Sequence, residues 1–194
     1  GTVRERDISL QTGDVSLGNV TVGESTTGGL VVDNPGTTTE TISVTTGTEV
    51  FEITEEDQTV TLAPSDQTFL SIEATPTASG ETTDSLTVET ADGEVSDTAT
   101  LTATGQAPEV DIETADPVSF SPTPLNSTTT QAIDISNDGD ASLTIAVDET
   151  LDDTAFRPVG DSELEIPAGD SQTLQVGFTP QTEGETTTDL TFTT

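Results

Sequence analysis

The sequence is written nearly twice. Gly80-Glu81-Thr82-Thr83-Asp84-Ser85-Leu86-Thr87-Val88-Glu89-Thr90 returns as Gly184-Glu185-Thr186-Thr187-Thr188-Asp189-Leu190-Thr191-Phe192-Thr193-Thr194, about 104 residues further on. Leu62-Ala63-Pro64-Ser65-Asp66 is matched in character by Ile166-Pro167-Ala168-Gly169-Asp170 at the same spacing. Asn34-Pro35-Gly36 answers Asn137-Asp138-Gly139 one residue closer, and Phe51 answers Phe156 one residue further. Slips of this size are what loop insertions and deletions leave. A repeat this long is a usual size for a domain, so the chain divides into 1–104 and 105–194. Thr104-Gly105-Gln106-Ala107-Pro108-Glu109 reads as a short, semi-extended connection, with the repeats expected end to end.

Inside each repeat the apolar residues recur with period two. They do so in Leu70-Ser71-Ile72-Glu73-Ala74, in Leu174-Gln175-Val176-Gly177-Phe178 and in Ala99-Thr100-Leu101-Thr102-Ala103-Thr104. That is the signature of strands buried on one face, with β-branched threonine suited to the wet side of the pleat. Turn chemistry separates the runs at Asn34-Pro35-Gly36, Asp92-Gly93, Asn137-Asp138-Gly139 and Ala168-Gly169-Asp170. No window has helical periodicity. The fold class is therefore all-β: two tandem immunoglobulin-like antiparallel β-sandwiches of about eight strands each. Leu30, Val32, Ile42, Val44, Phe51, Ile53, Leu62, Leu70, Ile72, Leu86, Val88 and Leu101 are expected to fill the first. Ile133, Ile135, Ile145, Val147, Phe156, Leu164, Ile166, Leu174, Val176, Phe178, Leu190 and Phe192 are expected to fill the second.

From Ile166 onward come a Pro/Gly/Asp turn, then Leu174, Val176, Phe178 and Pro180, then Gly184, Thr186, Leu190 and Phe192. This succession, the Asn-x-Gly turns and the alternating strand ending at Thr104-Gly105 resemble the hydin-like, ASH-type immunoglobulin-like repeats. The resemblance covers both repeats. It implies a sandwich fold, arrays and scaffolding roles, and it brings no catalytic residues.

Charge narrows the setting. Thirty-seven acidic residues face three arginines, Arg4, Arg6 and Arg157, for a formal net charge of −34 without lysine or histidine. Such self-repulsion opposes compaction in dilute buffer, and molar salt screens it by cutting the Debye length to roughly 3 Å. The chain reads as halophilic, from an archaeon or its virus. Nucleic acid is excluded as a partner because counterion release needs basic residues, and anionic lipid is disfavoured likewise. No apolar run is long enough to insert in a membrane as a helix. Thiolate, imidazole and Schiff-base chemistry have no side chains to use, since Cys, His and Lys are absent. Trp and Tyr, the usual sugar-stacking rings, are missing too. No enzyme and no cofactor is expected, beyond Ca²⁺ or K⁺/Na⁺ at the acidic surface.

The candidate sites are few. Asn19-Val20-Thr21 and Asn126-Ser127-Thr128 are glycosylation sequons, placed early in their repeats where exposed backbone is expected. Asn137, Asp138 and Asp140 share one turn and are the best calcium candidates, followed by Asp152 with Asp153 and by Glu55, Glu56 and Asp57. Arg157 is expected to pair with local carboxylates, and Arg4 and Arg6 to do so near the junction. The first expectation for function is a structural or adhesive module of an extracellular surface or filament protein. A viral spike, fibre or capsid-decorating module is the second, and a carbohydrate-binding accessory domain the third.

The ends of the repeats do not match. Asp7-Ile8 aligns with Asp111-Ile112, which places Gly1 opposite Gly105 as the closing glycine of an earlier repeat. Thr194 corresponds to Thr90, whereas repeat one runs on through Ala91–Thr104 to its closing strand. The second sandwich is thus expected to lack that strand. It would leave an unpaired edge and an apolar slot beside Leu190 and Phe192, open to a following segment or to a neighbouring subunit that builds a homo-oligomer or filament.

Overall fold

A computed structural model describes residues 4–54, 58–114, 117–147 and 155–193. All regular structure among them is β, and the chain separates into two compact units, 1–106 and 107–194.

The first unit is a sandwich of nine strands: β1 (Ser9–Leu10), β2 (Asp14–Thr21), β3 (Thr26–Asp33), β4 (Glu40–Thr45), β5 (Phe51–Ile53), β6 (Thr59–Leu62), β7 (Gln67–Ala74), β8 (Gly80–Thr90) and β9 (Ser96–Gln106). One sheet has the order β1-β3-β7-β5 and the other β2-β9-β8-β4-β6. The two inner faces meet in a core where Val32, Ile42, Phe51, Leu70, Ile72, Leu86, Val88 and Leu101 are fully enclosed. Small residues complete it: Ala74, Ala99 and Ala103 are buried as tightly as the large ones. All twelve core residues expected from the sequence are buried here. One feature departs from an antiparallel sandwich. β2 runs parallel to β9, from Asp14↔Thr100 to Thr21↔Gln106, with a bulge between Ser16 and Asn19 where Gly18 takes φ +74°.

The second unit repeats the first sheet as β10 (Val110–Ile112), β11 (Thr129–Asn137), β15 (Ser171–Phe178) and β13 (Phe156–Val159), in the order β10-β11-β15-β13. Its other sheet is reduced to β14 (Glu163–Ile166), β12 (Leu143–Val147) and β16 (Phe192–Thr193). The expected alignment of the two lead segments needs one correction. Leu10 stands opposite Val32 and Ile112 opposite Ile135, so Ile112 is the counterpart of Leu10 and not of Ile8.

An asparagine turns the corner between the sheets in each unit. The Asn34 amide nitrogen donates to the carbonyls of Thr38 (2.8 Å) and Leu62 (3.0 Å), and its oxygen accepts from Gly36 N (3.0 Å). Asn137 does the same with Ala141 (2.8 Å), Ile166 (2.9 Å) and Gly139 N (3.1 Å), and also accepts from Glu109 N at 3.1 Å. The lead strand crosses so close that a Cβ on Gly36 would lie 2.6 Å from Glu5 O, and one on Gly139 2.3 Å from Ala107 O. Only glycine permits that approach.

Candidate functional site

The two units differ most where β9 belongs. In the first, β8 is paired along its length with β9, from Gly80↔Gly105 to Glu89↔Ser96. Among the described residues Gly184–Thr193, the counterpart of Gly80–Glu89, forms no such ladder, and Phe192 and Thr193 are its strand residues, against Val147 and Ala146. Residues 118–125, which correspond to β2, form no strand either. Their loss follows from the first: β2 is hydrogen-bonded within its sheet to β9 alone, at the edge. Pro122 and Pro124 further deny this segment the N–H groups a ladder needs.

What remains is a cleft of about 1240 Å³. All four phenylalanines of this unit line it: Phe120, Phe156, Phe178 and Phe192. Phe156 and Phe178 stack with centroids 4.7 Å apart, and Phe120 lies 5.5 and 5.6 Å from them in tilted contact. In the first unit the corresponding cross-strand pair is Phe51 with Ala74, both at 0 % exposure. Phe120 and Phe178 are the rings this unit adds to that pair, and the cleft they line stays open. Phe178, Leu190 and Phe192, expected in the core, are only partly buried for this reason. Leu164 is partly buried too, on edge strand β14. Among the described residues the charged side chains on the cleft lining are Glu183, Glu185 and Asp189, all acidic.

The expected calcium turn is used differently. Asn137 is fully buried and its oxygen already accepts two backbone N–H groups. Asp140 Oδ1 accepts from Ala107 N at 2.7 Å. These groups fasten the lead strand instead of converging on a cation, and Asp138 stands exposed beside them without joining a ligand set. No group of three or more acidic side chains among the described residues is placed to hold a metal ion. Asp152, Asp153, Glu55, Glu56 and Asp57 lie outside the described residues.

Both sequon asparagines are exposed, in different settings. Asn19 is on β2 just past the bulge. Asn126 sits in a turn at φ +60°, with its N–H on Pro180 O, where Gly23 at φ +86° bonds Pro76 O in the first unit. Asparagine is the residue after glycine that best tolerates this backbone, so Asn126 has a conformational role whether or not it carries a glycan.

Among the described residues the ion pairs gather on Arg6. Its guanidinium takes Glu40 in a two-point contact (Nε to Oε1 2.9 Å, and 2.5 Å to Oε2), Glu94 at 2.9 Å, and Asp92. Hydrogen bonding from Arg6, then from Thr38, holds the Glu40 carboxyl below its ordinary range. Arg6, then Thr90, pulls Asp92 down to about 2, and Arg6 itself is raised. The cluster belongs to the first unit. Arg4 and Arg157 are exposed and make no ion pair among the described residues.

The family model for ASH (abnormal spindle-like microcephaly-associated, ASPM-SPD-2-Hydin) matches residues 6–98 and 113–194. The chain belongs to the ASH family. Both sandwiches are ASH repeats, and the second match runs through the segment that lines the cleft. An ASH/PapD-like domain of human CEP192 is similar to it at 13 % identity and TM-score 0.46, covering 54 % of this chain and 89 % of that one. A Porphyromonas gingivalis W83 protein of unknown function shares 16 % identity at TM-score 0.46, over 90 % of this chain and 84 % of that one. The CsuC–CsuE chaperone–tip adhesion subunit complex of Acinetobacter baumannii Csu pili gives 9 % identity and TM-score 0.38, over 86 % and 89 %. No curated protein matches the chain in sequence. No helix among the described residues is long and apolar enough to cross a membrane.

Proposed function

We propose that this chain is a non-enzymatic structural module of an extracellular surface or filament protein working in molar salt. In this reading its second ASH repeat is completed by a β-strand of the same protein, from a following segment or a neighbouring repeat. The observation that carries it is the four-phenylalanine cleft standing where the first repeat holds β9. β9 itself is the template for the occupant: Ala99, Leu101 and Ala103 point inward between outward threonines. A strand of this small–large–small pattern, antiparallel to Gly184–Thr193, would cover apolar surface and pair an exposed edge. Its neutral outward threonines also suit the acidic lining, which would repel a strand rich in Asp or Glu. The net charge of −34 supports the salt habitat. Asn19 and Asn126, both exposed, are the proposed glycan acceptors outside the cell.

The test adds a synthetic peptide with the sequence of Ser96–Gln106 to the full chain in molar KCl and follows hydrogen exchange. Saturable protection of Gly184–Thr193, absent with a peptide carrying Leu101→Asp, is the expected result. No protection at saturating peptide overturns the reading. So does a chain that self-associates on sedimentation without peptide and protects the same residues, since the occupant is then a second copy.

A further inference from the structure

Tension acts on a strand pair according to where it is applied. Pulled from one shared end, the hydrogen bonds break one after another. Pulled from opposite ends along the strands, they share the load and must fail together. Resistance to force is a property of that barrier and not of equilibrium stability.

The first repeat places its chain ends in the second arrangement. The chain enters the β2–β9 ladder at Gly13, whose carbonyl accepts from Thr100 N at 2.8 Å. It leaves at Gln106, whose carbonyl accepts from Val22 N at 2.8 Å. Because the strands are parallel, these points lie at opposite ends of the ladder. β9 cannot peel away on its own, since its other edge is held by β8 from Ser96 to Gly105. The bulge at Ser16/Asn19 divides the ladder into two blocks. Upstream, the lead is fastened a first time. Arg6 grips Glu40, Asp92 and Glu94, Leu10 N donates to Asp97 (2.8 Å), and β1 pairs with β3. The described residues of the second repeat contain no parallel pair of this kind.

We propose that the first ASH repeat is a load-bearing clamp, in which tension passing from its lead segment to Gln106 is borne in shear by β2 and β9. The Arg6 cluster and β1 form the outer stage and the parallel ladder the inner one. Such an element fits a module strung between neighbours under pull, and it holds whatever occupies the cleft of the second repeat.

The chain has no cysteine, so thiol handles for single-molecule pulling can be set where geometry requires. Asp14→Cys with Gln106→Cys loads the ladder from opposite ends; Thr21→Cys with Gln106→Cys loads it from one end. In the full chain in molar KCl, at equal loading rate, the first pair is expected to rupture at several-fold higher force, although both variants melt at the same temperature. Equal forces, or a weaker first pair, overturn the proposal. If either variant fails to fold, Gly13→Cys and Glu24→Cys replace the upstream handles just outside the ladder. A Cβ at Gly13 meets nothing within 4 Å, and Glu24 is exposed.

Discussion

Glu40 and Leu143 occupy the same place in the two sandwiches. Each opens the strand after the asparagine corner, each is 2 % exposed, and they face Leu62 and Ile166 across equivalent strand pairs. One repeat keeps a carboxylate where the other keeps a hydrocarbon, and Arg6 is what makes the carboxylate tolerable. Glu40 is enclosed and Arg6 partly exposed, so removing the arginine strands a buried carboxylate, whereas replacing both partners with apolar groups is often neutral. Arg6→Ala is therefore expected to lower the melting temperature of the first repeat by about 5 °C or more. Arg6→Ala combined with Glu40→Leu should recover most of the loss. Calorimetry in molar KCl measures both, and a double variant no better than Arg6→Ala contradicts the account.

The same cluster predicts a pH window. Both carboxyl groups titrate lower in the folded chain than their ordinary values near 4, Asp92 at about 2. The folded state thus binds fewer protons than the unfolded one. Its extra stability is fully present above the unfolded values and is lost as pH falls through the folded ones. The difference in melting temperature between the natural chain and Arg6→Ala should be constant above about pH 5 and shrink from about pH 4 towards 2. A difference that grows on acidification would reverse the sign of the argument.

Ser65 holds φ +70° where the other repeat has Gly169 at +75°, and both donate their N–H to the corner asparagine's carbonyl. A side chain in this region costs roughly 1–2 kcal/mol, offset in part by the greater freedom glycine loses on folding. Ser65→Gly should stabilise the first repeat by about 0.5–1 kcal/mol, and Gly169→Ala should destabilise the second by a similar or larger amount. Denaturant titration checks both directions.

The sandwich was legible because its signals are local. The two-residue period marked β7, β9 and β15, and every large residue expected in the first core is enclosed. The cleft beside Leu190 and Phe192 was legible by comparing one repeat with the other. Three things were not. The parallel pairing of β2 is a consequence of long-range topology, and an alternating run carries no direction. Glu40 has the composition of a surface residue, and only its place opposite Leu62 reveals it as buried. Asn137 stands in an acidic turn that looks like a cation loop, yet its amide faces inward to backbone groups at Ala141, Ile166 and Glu109. The match of Asn34 at the same corner, with no acidic cluster around it, was the signal that could have separated the two readings.

That corner makes its own prediction. Asn137→Ala removes the partner of four backbone groups, the carbonyls of Ala141 and Ile166 and the N–H groups of Gly139 and Glu109, around a side chain that is itself fully buried. Each orphaned buried group costs about 1–3 kcal/mol, and some relaxation is expected, so a loss of about 3 kcal/mol in the second repeat is the expected result. Calcium at millimolar concentration should leave the melting temperature of the natural chain unchanged beyond the effect of matched ionic strength. A specific calcium-induced rise would restore the cation reading of Asn137, Asp138 and Asp140.

Salt should act on both repeats together, because little of the charge is neutralised locally. The ion pairs among the described residues are those of Arg6, which leaves a surplus of −34 spread over the whole chain. Near 0.1 M salt the Debye length is about 10 Å, and at 1 M about 3 Å, so repulsion between surface carboxylates is lost mainly within this range. Added salt weakens the Arg6 cluster as well, but three pairs on a partly exposed side chain cannot outweigh the general repulsion. Melting temperatures are expected to rise steeply up to about 1 M KCl and more slowly beyond. At about pH 3 all but a few of the carboxyl groups are protonated and the three arginines come close to balancing the rest, and this dependence should largely disappear. A melting temperature that is flat or falling with KCl at pH 7 would remove the halophilic reading. A rise that persists unchanged at about pH 3 would assign the effect to salting-out of apolar surface instead of to screening.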